Sequence, residues 1–141
     1  MLTDPPEGFS PHLRKSPVTD PWEPLFSRKA GGVVQIGVRL RDAHCNSRGL
    51  LHGGVLAALA DNAMELSCGA SIPSLQGLVT VSLAVDYTGS AHPGQWLQIE
   101  PRVLKTGRSM GFADAIVTAD GDIIARANAT FRLMASVKPV R

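Results

Sequence analysis

Hydrophobic and polar positions alternate in five stretches of this chain and run continuously in one. "VQIGVRLR" places Val34, Ile36, Val38 and Leu40 on one face and Gln35, Arg39 and Arg41 on the other, the period of a half-buried strand. "GLVTVSLAVDY" alternates over Val79, Val81, Leu83, Val85 and Tyr87; "QWLQIEPRVLK" over Leu97, Ile99 and Val103; and "IIARANATFRL" over Ile123, Ala125, Ala127, Ala129, Phe131 and Leu133. "MGFADAIVT" is a weaker strand signal. Short linkers at 92–94, 106–109 and 119–122 read as hairpin connections. Between the first and second strands lies "GGVLAALADNAMELSCG", a helix over about 53–69 that is apolar nearly all round and kept thin by Ala57, Ala58, Ala60 and Ala63. Such a helix belongs in an interior. The pattern predicts an α+β domain: a curved antiparallel five-stranded sheet wrapped around one long central helix.

Residues 1–30 differ in kind. Pro5, Pro6, Pro11, Pro17, Pro21 and Pro24 make them an arm, expected to pack over the domain through Phe9, Leu13, Trp22 and Phe26 with one short helical turn. Residues 31–141 are expected to form the domain itself. The chain's 141 residues suit one hydrophobic core, and its 44% hydrophobic and 18% charged content is that of an ordinary globular protein. A net charge of +2 with no basic run longer than a pair leaves no electrostatic footprint for nucleic acid or for a membrane surface. No stretch is long and apolar enough for a bilayer span, and Asp4, Pro5, Pro6 and Glu7 occupy the place of a leader's apolar region. The cytoplasm is the expected compartment. Cys45 and Cys68 form no redox or metal motif, and the four histidines are scattered singly, so no metal site is expected.

The candidate chemistry gathers on the helix. Gly53 and Gly54 at its start leave backbone N–H groups open to a ligand at the positive end of the helix dipole. Such groups can polarise a carbonyl and hold an oxyanion; equally, glycines there can serve only a tight turn. Asp61 is a carboxylate among Leu56, Leu59, Met64 and Leu66, costly unless paired, solvated or used. At the edge of a cavity it is a candidate general base or nucleophile. Glu65 lies one turn further on the same stripe. Asn46 and His52 precede the helix, and Thr80 and Ser82 sit together on the polar face of the second strand. His44 and Cys45 are adjacent, but strand neighbours point to opposite faces and no third group orients them as a nucleophile pair.

The span "HCNSRGLLHGGVLAALADNAM", with the strand order that follows it, resembles the hotdog-fold acyl-CoA thioesterases of the phenylacetate-degradation type. Their mark is Asn-x-x-Gly-x-x-His-Gly-Gly followed by an acid on the helix, here Asn46, Gly49, His52, Gly53, Gly54 and Asp61. The resemblance covers about residues 30–135, and "SPVTDPWEPL" is similar to the family's lead-in. It implies hydrolysis of an acyl- or aryl-acyl-CoA with no cofactor. Gly53 N–H would polarise the thioester carbonyl, with Gly54 beside the substrate. His52 and Asn46 would shape that region, and Asp61 would be the base or nucleophile. Thr80 would help place water, unless Ser82 is the residue aligned there. Lys105 and Arg108 stand where relatives place cations near the coenzyme A phosphates, though two solvated hairpin cations would look the same. A hotdog hydratase would need a histidine on the helix beyond position 52, and there is none; a non-catalytic acyl-CoA-binding domain would not need Asp61.

Helix geometry adds a constraint. Gly53 and Asp61 are eight residues apart, about 12 Å along a helix axis at ~1.5 Å per residue. A nucleophile and an oxyanion donor must each lie about 3 Å from the reacting atoms. One chain cannot supply both, so the expectation is a homodimer with composite sites, as the resemblance also implies, pairing further into a dimer of dimers.

Overall fold

A computed structural model describes residues 4–72 and 77–134 of the chain. Its organising element is α1, Gly53–Ala70. The helix starts where His52 caps it, its ring Nδ1 accepting from Gly54 N–H at 2.8 Å. It ends at Ser71, whose hydroxyl donates to the Cys68 carbonyl at 2.7 Å. Around it lies one antiparallel sheet of seven strands: β1 Ser10–Pro11, β2 Phe26–Ala30, β3 Val33–Arg39, β4 Gly77–Tyr87, β5 Trp96–Thr106, β6 Met110–Ala119 and β7 Asp122–Met134, in the order β1-β2-β3-β5-β6-β7-β4. The hotdog architecture is present, with two strands more than the pattern predicted.

The two extra strands come from the arm. β2 has no clean alternation, because "FSRKA" is held mainly by backbone pairing to β3 across the Gly31–Gly32 turn, where both glycines take positive φ. Residues 26–30 are therefore part of the domain's sheet, and the arm proper is shorter than residues 1–30. Phe9 of the arm and Phe26 of β2 clasp the Trp96 ring at centroid distances of 5.3 and 6.0 Å. Gly37 is required here, because a Cβ on it would collide with the Trp96 indole. Trp22 packs on the core as expected, whereas Leu13 is 87% exposed and anchors nothing among the described residues. The expected short helical turn is a 3-10 turn at Asp20–Trp22.

The inner face of the sheet is lined largely by small residues: Ala113, Ala115, Ala125, Ala127 and Ala129. They let the helix sit close, so that Leu56, Leu59 and Met64 are fully enclosed. Ser67 ties helix to sheet, donating to the Ala63 carbonyl at 2.7 Å and accepting from Val34 N–H at 3.0 Å. Register shifts between Thr80 and Ser82, Val103 and Lys105, and Val117 and Thr118 bend the sheet around its load.

Three further expectations change. The linker at 92–94 is no hairpin: β4 pairs with β7 and β5 with β3, so residues 88–95 cross from one side of the sheet to the other over the start of the helix. Pairing between strands distant in sequence is invisible to periodicity. The bulge after Val117 takes Ile123 out of the inner row, where Ile124 replaces it. Finally, the helix is not enclosed all round. Val55, Leu56, Leu59, Ala60, Ala63 and Met64 are buried, but Gly54 is exposed and Ala57, Ala58, Asp61, Asn62 and Glu65 are only half-buried. No described helix is long and apolar enough to cross a membrane.

Candidate active site

Residues 44–52 form a loop tied at both ends. His44 is buried, its Nδ1 accepting from Arg41 N–H at 3.0 Å and its Nε2 donating to the Trp22 carbonyl at 2.9 Å. Burial holds its pKa below the ordinary histidine value. It is a clamp between loop and arm. Cys45 points elsewhere, against the Arg41 carbonyl, and burial and Asp42 push its thiol up, away from thiolate chemistry.

Asn46 organises the loop tip. Its Oδ1 accepts from Arg48 N–H at 2.9 Å and Leu50 N–H at 3.2 Å, and its amide Nδ2 donates to no acceptor among the described residues. Asn46 also lines a cavity of about 190 Å³ with Arg48, Leu56, Tyr87, Ala91 and Ile124. Gly53 lies in its wall. Because His52 Nδ1 occupies the Gly54 N–H, the donors at the helix start are not equivalent. The Gly53 N–H has no acceptor among the described residues. It stands beside a largely apolar cavity at the dipole's positive end, suited to binding a polarised carbonyl oxygen.

Tyr87, the chain's one tyrosine, was not singled out by sequence reasoning. Its hydroxyl donates to the Gly53 carbonyl at 2.5 Å, and its ring lies where a Gly53 Cβ would stand 3.3 Å from it. The strand pattern marked Tyr87 only as an apolar position; that β4 ends beside the helix start is a fact of topology.

Asp61 lies two turns along the helix, half-buried and outside that cavity. The Thr80 hydroxyl donates to Asp61 Oδ1 at 2.9 Å. Burial raises the Asp61 pKa above the ordinary carboxylate value, and the Thr80 hydrogen bond opposes part of that rise. The bulge in β4 separates the two hydroxyls that sequence placed on one face. Thr80 pairs with buried Phe131 and faces the helix, while Ser82, beyond the extra residue Val81, pairs with Thr130 on the outer face. Within one chain Ser82 is thus not brought to Asp61. Lys105 and Arg108 are exposed at the β5–β6 hairpin, whose Gly111 abuts Cys68 near the helix's far end. Neither lines the Gly53 cavity.

One long helix held in a curved antiparallel sheet is the hotdog architecture. Residues 48–125 match the thioesterase superfamily model, and the chain belongs to that family. It is 38% identical over 129 residues to a Pseudomonas aeruginosa protein named provisionally as an esterase, covering 91% of this chain and 96% of that one. It is 31% identical over 106 residues to human acyl-coenzyme A thioesterase 13, covering 74% and 75% of the two. Among solved structures, zebrafish thioesterase superfamily member 2 superposes with a TM-score of 0.72 at 30% identity, over 78% of this chain and 81% of that one.

Proposed function

We propose that this protein hydrolyses acyl- or aryl-acyl-CoA thioesters to the free acid and coenzyme A. The observation that carries the reading is the Asp61–Thr80 pair: a half-buried carboxylate with a raised pKa, steadied by one hydroxyl, on a helix whose first N–H has no acceptor among the described residues. The name of the human relative supports coenzyme A thioesters as the substrate class. So does a Streptococcus mutans structure described as bound to acetyl CoA, with a TM-score of 0.69 at 26% identity over 76% of this chain and 85% of that one.

In this mechanism Gly53 N–H receives the thioester oxygen as it gains charge, and the helix dipole adds to the stabilisation. Asp61 supplies the oxygen side, either attacking the carbonyl carbon or deprotonating a water that attacks it. Asn46 Nδ2 and His52 shape the carbonyl end. Neither metal nor cofactor takes part. The reacting groups come from two chains, Gly53 of one facing Asp61 of the other, in a two-fold dimer. β4 supports this assembly: it is a long sheet edge with Val79, Val81 and Leu83 exposed, a template for a second copy. Leu104, Phe112 and Ile116, exposed elsewhere on the sheet, offer a second apolar contact for a dimer of dimers.

A hydrolysis screen across short, long and aromatic acyl-CoAs, read by release of free thiol, tests the function. Release from at least one class, abolished in Asp61→Asn, is the expected result. Binding without release across all classes would instead mark a non-catalytic acyl-CoA-binding domain.

A further inference from the structure

The half-buried stripe of α1 does not stop at Asp61. One turn on, Glu65 opens into a cleft of about 340 Å³ walled by Arg14 of the arm, Lys29 of β2, Val34 of β3, Leu66 of the helix and Leu78 of β4. The reaction proposed above does not use this carboxylate. Glu65 is half-buried, and on a helix side chains four apart share one face, about 5–6 Å from one another at Cβ.

We propose that Glu65 is the base that activates the hydrolytic water after Asp61 has taken the acyl group. The proposal rests on the thioesterase reading and chooses, within it, the covalent route. Asp61 Oδ attacks the thioester carbonyl carbon, the C–S bond breaks, and coenzyme A leaves as the thiolate, to be protonated by solvent. Asp61 is then an acyl anhydride and has lost its charge, so it cannot deprotonate water. Thr80 cannot either, because its hydroxyl is a donor to Asp61. The water must pass its proton to another group as its oxygen bonds to the acyl carbon. The anhydride C–O bond then breaks, its electron pair restores the Asp61 carboxylate, and Glu65 holds the proton until the cleft passes it to solvent.

The surroundings suit this task. Burial and the Asp61 charge raise the Glu65 pKa, while Arg14 opposes the rise. Asp61 on its own helix, Arg14 on the arm and Lys29 on β2 are the charged groups facing it among the described residues; β3 and β4 present only Val34, Gly77 and Leu78. Acylation of Asp61 removes the nearest like charge at the step in which Glu65 must act.

The test uses the full-length protein and the best acyl-CoA from the screen. Glu65→Gln should release a burst of about one thiol per site and then turn over slowly, by roughly 10²–10⁴, the range for a positioned base. Acid-quenched enzyme should carry the acyl mass on the peptide containing Asp61. Hydroxylamine, which attacks an anhydride without a base, should restore thiol release and yield the hydroxamate. A linear time course at wild-type rate, or slow turnover with no acylated Asp61, overturns the proposal. Should Glu65→Gln fail to fold by circular dichroism, Glu65→Asp carries the same test with a smaller burst expected, and an unchanged time course there also overturns it. Failure of the wild-type protein to cleave any acyl-CoA would instead defeat the thioesterase reading.

Discussion

Thr80 Oγ1 donates to Asp61 Oδ1 at 2.9 Å, joining the edge strand to the middle of the helix across nineteen positions of sequence. The bond favours the charged carboxylate that burial disfavours. Removing it in Thr80→Val should raise the Asp61 pKa, moving the acid limb of the kcat/KM profile to higher pH. A lost hydrogen bond to a charged group, worth about 1.5–3 kcal/mol, should lower activity about tenfold or more. Ser82→Ala, on the outer face, should leave both limb and rate unchanged; a Ser82 effect equal to that of Thr80 would contradict the assignment.

Asp61→Asn should lower kcat by roughly 10²–10⁴ while raising thermal stability at pH 8. The sign follows from linkage. An acid whose folded pKa lies above its unfolded value penalises the fold once it is ionised, so the wild type loses stability as pH rises from the unfolded pKa through the folded one. Asparagine carries no charge and still accepts from Thr80. Melting curves of both proteins should converge as pH falls towards 4, and a variant less stable than wild type at pH 8 would refute the argument.

Gly53→Pro deletes the proposed oxyanion donor and should cost on the order of 10²–10³ in kcat. Proline is accommodated in a helix's first turn, but any Cβ there meets the Tyr87 ring at 3.3 Å. Gly53→Ala is therefore the control, adding the Cβ and keeping the N–H. Equal activity of folded proline and alanine variants would remove the N–H from the mechanism.

The composite site predicts complementation. Gly53→Pro and Asp61→Asn, each inactive, are unfolded together and refolded. In a mixed dimer one site carries both defects and the other neither, so random pairing should recover about a quarter of wild-type activity. A mixture that contains mixed dimers yet stays inactive places the whole site in one chain.

His44 should make the fold acid-sensitive. Its folded pKa is depressed by burial, so its contribution is intact above the unfolded value of about 6.5 and is lost as pH falls below that towards the folded pKa. The melting-temperature difference between wild type and His44→Gln should shrink between pH 7.5 and 5.5; a constant difference would show that folding leaves the His44 pKa unshifted.

Much of this protein is local and was legible as such. The helix from Gly53, the long strands and the glycine pair with its downstream carboxylate follow from periodicity and residue type, which act over a few neighbours. So does the separation of Gly53 from Asp61, since helical rise depends on residue count alone. Tertiary structure decided what depends on long-range pairing. β4 lies beside β7 rather than β5, which brings Tyr87 to the helix start and leaves Val79 and Val81 on an open edge. "FSRKA" becomes a strand because β3 offers it backbone partners, with no side-chain pattern to announce it. One extra residue in β4, Val81, decides between Thr80 and Ser82: strand side chains repeat every two residues, so a single insertion sends everything beyond it to the other face.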